Sequence, residues 1–97
     1  MKIYHSLQDW QKYMTDLIVV ADAEDILGSV RVTNYPNGES WIHSLYVDET
    51  HRRQGIAKML LDEAEPVCIY KPERVSLVDN APLWLDEFYR DRGYVIV

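Results

Sequence analysis

The sequence predicts a mixed α/β domain (α+β in its layering) with a mostly antiparallel central sheet and one β–α–β unit. Three observations carry this. Apolar runs with β-branched residues at 17–21, 26–33 and 40–47 are separated by turn chemistry. The run Trp41–Val47 feeds a short basic loop, a glycine and an amphipathic stretch reaching about Ala64. A last helical pattern lies between Pro82 and Gly93 and is followed by the apolar residues 94–97. A chain of 97 residues allows one domain with one modest core.

Taken in order, Ser6 is an N-cap candidate, and Leu7, Trp10, Tyr13 and Met14 recur at helical spacing, so a short helix is expected over 7–14. Leu17–Ala21 reads as a buried strand, residues 22–25 as a turn, and Ile26–Thr33 as the second strand. Asn37-Gly38 signals a type I′ hairpin into the strand Ser40–Val47. The helix from Gln54 to about Ala64 ends before Pro66, because proline disfavours the helical conformation of its predecessor. Residues 67–70 read equally as strand or loop, and Arg74–Val78 alternates as a strand. Asn80 can cap the last helix, with Pro82 in its first turn; Tyr94–Val97 closes the chain as a strand.

Composition narrows the function. The apolar share of 47% suits a packed domain, and no apolar run approaches the roughly 20 residues that cross a bilayer. Asp9, Trp10 and Lys12 interrupt any signal-peptide core, so a cytoplasmic location is the default. The net charge of −6 argues against nucleic-acid and anionic-membrane partners. Cys68 is the single cysteine; it has no disulfide partner and no metal-ligand neighbours, and it reads as a small buried hydrophobe. No metal is expected.

Within this acidic chain Arg52, Arg53 and Lys58 cluster around Gly55. A strand, a loop with one glycine and a helix start build an anion site. The first helical N–H groups lack partners, the helix dipole adds about half a positive charge, and glycine lets a phosphate approach the backbone. A small polyanion is the ligand this pattern suits. The acidic remainder could attract a cationic amine, although acidic surfaces also serve solubility.

Arg52-x-x-Gly55-x-Ala57 resembles the acetyl-coenzyme-A signature of the GNAT superfamily of N-acetyltransferases, Arg/Gln-x-x-Gly-x-Gly/Ala. Phe88-Tyr89-Arg90-Asp91-Arg92-Gly93-Tyr94 resembles that family's closing pattern, an aromatic or aliphatic residue, Tyr, three variable residues, Gly and an aromatic. The resemblance covers about residues 17–97 and implies a single GNAT-like domain over 1–97 that lacks much of the family's N-terminal region. It implies acetyl-CoA as cofactor. Arg52, Arg53, Gln54, Gly55, Ile56, Ala57 and Lys58 would hold the diphosphate, and Asn80 would touch the cofactor arm, nine residues before Tyr89 rather than the usual seven. The strand Leu45-Tyr46-Val47 would splay from its neighbour, and its freed backbone amides would pair with the pantetheine arm and polarise the thioester.

Amide formation also needs a proton acceptor for the amine and a proton donor for the leaving thiolate. The resemblance gives the acid role to Tyr89, whose phenol is protonated at neutral pH. His43 is the base candidate. By strict alternation it shares a face with Trp41, Leu45 and Val47, and an imidazole pKa of about 6.5 suits the task. Glu39 and Glu24 read as turn residues, His51 as loop-exposed, and His5 has no sequence partner.

The leading expectation is an N-acetyltransferase that joins acetyl-CoA and a primary amine in one ternary complex, without an acyl-enzyme. The amine could be a small molecule or a protein side chain, and a second copy of the chain could supply a missing pocket wall. The alternative is a module that holds CoA or acyl-CoA without turnover, or a partner subunit.

Overall fold

The computed structural model describes residues 1–10, 13–23, 25–51, 55–77 and 81–97, without the side chains of residues 7–10, 13 and 14. β1 (Lys2–Trp10), β2 (Tyr13–Asp22), β3 (Asp25–Asn34) and β4 (Ser40–Val47) form an antiparallel sheet in chain order. A 3₁₀ turn at Glu49–His51 follows β4, and α1 (Ile56–Ala64) then crosses towards β5 (Arg74–Val75). α2 (Leu83–Asp91) leads to β6 (Val95–Ile96), which lies parallel to β5 in a separate two-stranded sheet. The expected α+β class is present, and β4 is an edge strand of its sheet.

The N-terminal expectation is corrected. Residues 2–10 form a strand and not a helix from residue 7; Ser6 is no helix cap but stands mid-strand opposite Leu17. Nine residues of β1 pair in register with β2, from Lys2↔Ala21 to Trp10↔Tyr13. A helix of eight residues is marginal by itself, and a continuous ladder beside an apolar strand outweighs the helical spacing of four side chains.

The β3–β4 connection is also wider than the two-residue turn expected at Asn37-Gly38. Residues 35–39 form it: Tyr35 N–H donates to Glu39 C=O at 2.8 Å, and Gly38 N–H donates to Tyr35 C=O at 3.3 Å. Only Gly38 takes a positive φ there, +92°. Pro36 explains the difference: it would close a two-residue turn at Asn37-Gly38 opposite Glu39, and it has no N–H to donate across, so Tyr35 makes that bond instead.

Residues 67–70 form no strand: a 3₁₀ turn at Glu65–Val67 runs into bends, with Pro66 inside it. β5 is two residues long, shorter than the expected 74–78, and Pro82 stands at the N-cap of α2 and not within it. Gly93 ends α2 as expected, at φ +99°. Its N–H donates to Arg90 C=O and that of Tyr94 to Tyr89 C=O, both at 3.0 Å, the bonding of a Schellman cap.

One face of the sheet is the core. Ile18, Val20, Val30, Val32, Ile42 and Val47 are buried there beneath Ile56, Leu60, Leu61 and Ala64 of α1. Burying each of these aliphatic side chains contributes about 1.5–3 kcal/mol. The close seat of α1 depends on Gly28 of β3, where a Cβ would stand 2.8 Å from Tyr46 O and 2.9 Å from Ile56 Cγ2. Leu85 and Tyr89 of α2, with Val75 and Tyr94, extend the same core.

Candidate functional site

The end of β4 and the start of α1 stand side by side. Val47 is buried opposite Gly28, and the chain then turns through Asp48–His51. Thr50 Oγ1 donates to Asp48 Oδ2 at 2.9 Å, and His51 Nδ1 lies 2.8 Å from the same oxygen. These bonds hold the Asp48 carboxyl below the usual carboxylate range, the His51 bond first. His51 is therefore tied to a carboxylate and part-buried, and not the free loop residue its sequence suggests.

Gly55 is the N-cap of α1 in the left-handed region, φ 76° and ψ 14°, with no side-chain cap. A Cβ placed on Gly55 would meet nothing within 4 Å, so the site is open on that side. The first intrahelical bond runs from Met59 N–H to Gly55 C=O at 3.0 Å. The amides of Ile56, Ala57 and Lys58 precede it and have no carbonyl within the helix to meet. No acidic side chain stands in this first turn. These donors, with the helix dipole behind them, suit an anion.

A groove of about 450 Å³ opens at this point, lined by Val47, Gly55, Ile56, Ala57 and Lys58 on one side and Trp84 and Phe88 of α2 on the other. Its walls are largely apolar, and the helix start supplies the polar end. Lys58 Nζ donates to Asp62 Oδ2 at 2.8 Å on the exposed flank of α1. Trp84 and Phe88 stand four residues apart on α2 with their rings edge to face, centroids 6.4 Å apart.

His43 differs from its expected orientation. The β3–β4 register steps from Arg31↔His43 to Ser29↔Tyr46, so β4 carries one residue more than β3. Ser44 absorbs the step at φ 58°, a left-handed conformation that costs a non-glycine residue about 1–2 kcal/mol. The bulge reverses the alternation. Ile42 and Val47 face α1, whereas Trp41 and His43 face the other way, so His43 does not share a face with Leu45 and Val47. His43 is half-buried. Its Nε2 lies 2.8 Å from Thr33 Oγ1 and its Nδ1 lies 3.2 Å from Ser44 Oγ. Burial first, and the neighbouring Arg31 charge second, lower its pKa below that of a free imidazole.

Tyr89 is 2% exposed and follows Phe88 into the core. Its ring packs edge to face on Phe88 at 5.7 Å and on Tyr94 at 5.6 Å, and burial raises its phenol pKa. It is not among the residues that line the groove. Of the expected cofactor residues, Val47, Gly55, Ile56, Ala57 and Lys58 meet at the groove, while Leu45 is half-buried and Tyr46 exposed along β4. Arg52, Arg53, Gln54 and Asn80 lie outside the described residues.

Sequence reading missed Trp84 and Phe88 as a wall; their i, i+4 spacing was the available signal. It also missed Thr33 as the partner of His43, which only strand register reveals. Cys68 is half-buried, its Sγ donates to Ala64 C=O at 3.6 Å, and burial pushes its thiol up to about 11. Among the described residues no three His, Cys, Asp or Glu side chains are grouped to hold a metal ion, and no helix is long and apolar enough to cross a membrane.

The family model described as Acetyltransferase (GNAT) domain matches residues 14–96. The chain therefore belongs to the GNAT acetyltransferase domain family. No curated protein and no solved structure matches it.

Proposed function

We propose that this GNAT-family chain binds acetyl-CoA in the groove beside Gly55 and transfers the acetyl group to a primary amine, without an acyl-enzyme. The observation that carries the reading is the open, glycine-capped start of α1 at one end of an apolar groove. The donor set fits the ligand chemically: amides with no carbonyl partner inside the helix suit a diphosphate, and Val47, Trp84 and Phe88 suit an apolar arm. When bound, the cofactor supplies an activated acetyl thioester.

The chain's own residues would then divide the work. The amides of Ile56, Ala57 and Lys58 hold the diphosphate, and the backbone of edge strand β4 orients the arm. His43, on the sheet face turned away from α1 and outside the groove lining, would take the proton an ammonium must lose before its nitrogen can attack, which requires the amine to approach from that face. Tyr89 keeps its proton across the working range through its raised pKa, and the acid role would require its phenol to meet the departing sulfur past the Phe88 wall. Cys68, unionised and outside the groove, supports direct transfer over a covalent route. The acceptor is an amine on a small molecule or a protein.

Calorimetric titration with CoA, followed by thiol release from acetyl-CoA with a panel of amines, tests this. Gly55→Asp should abolish CoA binding by putting a carboxylate where the phosphates sit; undiminished affinity would remove the cofactor assignment. A second reading is a CoA-binding module without turnover. The place of Tyr89, behind the groove wall instead of in it, favours that reading. Tight CoA binding with no thiol release from any amine would select it.

A further inference from the structure

Three strands contribute to one hydrogen-bonded chain on the sheet face turned away from α1. Thr15 Oγ1 on β2 lies 2.9 Å from Thr33 Oγ1 on β3, which lies 2.8 Å from His43 Nε2 on β4. His43 Nδ1 then lies 3.2 Å from the hydroxyl of Ser44, the exposed residue of the bulge. Thr15 and Thr33 are each only 4% exposed, so water does not readily replace either partner. The register that builds this is Thr15↔Thr33↔Trp41 beside Leu17↔Arg31↔His43.

A hydroxyl has one proton to give. If Thr33 gives its proton to Thr15, its oxygen accepts from His43 Nε2–H, and Nδ1 is left with a lone pair facing Ser44. If Thr33 gives its proton to His43, the ring carries its hydrogen on Nδ1 and has no lone pair at the exposed end. Either hydroxyl can donate in the Thr15–Thr33 hydrogen bond, so the direction of that bond sets which nitrogen of His43 is free.

We propose that Thr33 and Thr15 are positioning residues for His43: they hold Nε2 as the N–H donor and leave Nδ1, beside the Ser44 bulge, as the atom that accepts the amine proton. This rests on the reading of His43 as the base. The step balances: the ammonium proton passes to Nδ1, directly or through the Ser44 hydroxyl, and the ring becomes an imidazolium that donates to both Thr33 and Ser44. Arg31 is a charged residue registered opposite His43, and β2 contributes Thr15 and Leu17 in the same registers. Burial first, and the Arg31 charge second, favour the neutral ring.

The test is ¹⁵N NMR of the histidine side chains in the full chain, which needs neither donor nor acceptor. Native His43 should show hydrogen on Nε2 and a bare Nδ1. Thr15→Val should move the tautomer ratio towards Nδ1–H by up to about tenfold, the scale of one hydrogen bond, and Thr33→Ser should keep the native ratio. A native ring already protonated on Nδ1, or a ratio unmoved in Thr15→Val, overturns the proposal. In amine assays Thr15→Val should lower kcat and leave the KM for acetyl-CoA in place. Absent turnover in the native chain would sink the acetyl-transfer reading and with it the proton-accepting role of Nδ1, while the tautomer measurement still decides whether Thr33 and Thr15 hold Nε2 as the donor.

Discussion

Arg92, at the C-cap of α2, grips Glu65, at the C-cap of α1, with two nitrogens: Nη2 to Oε1 at 2.6 Å and Nε to Oε2 at 3.2 Å. Arg92 Nη2 also donates to Asp62 Oδ1 at 2.7 Å, and the Tyr94 hydroxyl donates to Glu65 Oε2 at 2.6 Å. The pair is part-buried and two-pronged, which separates it from an ordinary surface ion pair. It ties α1, which starts at Gly55, to the helix that walls the groove.

Removing this tie should loosen the groove as well as the fold. Arg92→Ala is expected to cost about 1.5–3 kcal/mol, the range for hydrogen bonds to charged groups. The Arg92 bond holds the Glu65 carboxyl below its ordinary value, against a smaller opposing effect of burial. Because the folded pKa is the lower one, the stabilisation is complete above the unfolded value of about 4.3 and drains away as pH falls through the folded one. Urea midpoints from pH 7 down to 3 should therefore converge for native and Arg92→Ala chains. Parallel curves with no convergence would contradict the assignment.

Two glycines answer to different demands. At Gly28 an added methyl meets Tyr46 O at 2.8 Å and Ile56 Cγ2 at 2.9 Å, so β4 or α1 must shift. Gly28→Ala should lose about 1–3 kcal/mol, as overpacking does. At Gly55 an added methyl meets no atom within 4 Å but sits at φ +76°, and Gly55→Ala should lose only about 1–2 kcal/mol, through backbone strain. CoA titration separates them further: affinity should follow Gly55 more than stability does. A Gly28→Ala chain as stable as the native one would argue against the close seat of α1 on β3.

What was legible in the sequence and what was not divide on physical grounds. Apolar runs 17–21, 26–33 and 40–47 lie within β2, β3 and β4, and the stretch before Pro66 is α1, because burial periodicity and breakers act over a few residues. The glycine-capped start of α1 was legible for the same reason: it is local. The face of His43 was not, because one inserted residue at Ser44 reverses an alternation, and no residue type marks that insertion. β1 was misread because four aromatic and apolar residues at helical spacing carry no information about the strand that pairs with them. Thr33 and Trp84 join the site through strand register and helix docking, which are long-range.

His43 sets the acid limb of the pH–rate profile if it is the base. Burial and Arg31 depress its folded pKa, so the ring stays neutral below the 6.5 of a free imidazole. Activity should persist into mildly acidic buffer and fall only through the lower, folded value. Stability obeys the same sign: this contribution is present above 6.5 and lost as protonation is forced on the buried ring. Arg31→Leu should move the limb towards higher pH. A limb at 6.5 or above in the native chain, or one that ignores Arg31→Leu, would exclude His43 as the titrating group.

Phe88 offers the sharpest division of the groove into its two ends. Its ring forms the apolar wall opposite Ile56 and Ala57 and packs on both Trp84 and Tyr89. The cradle at Gly55 instead presents backbone donors. Phe88→Ala should therefore weaken CoA by about tenfold, equivalent to roughly 1.4 kcal/mol of lost ring contact. Adenosine 3′,5′-bisphosphate, which has phosphates but no pantetheine arm, should lose far less affinity in the same variant. Phe88→Leu, keeping an apolar wall, should recover most of the loss. If both ligands weaken alike in Phe88→Ala, the ring supports the cradle from behind and the arm runs elsewhere.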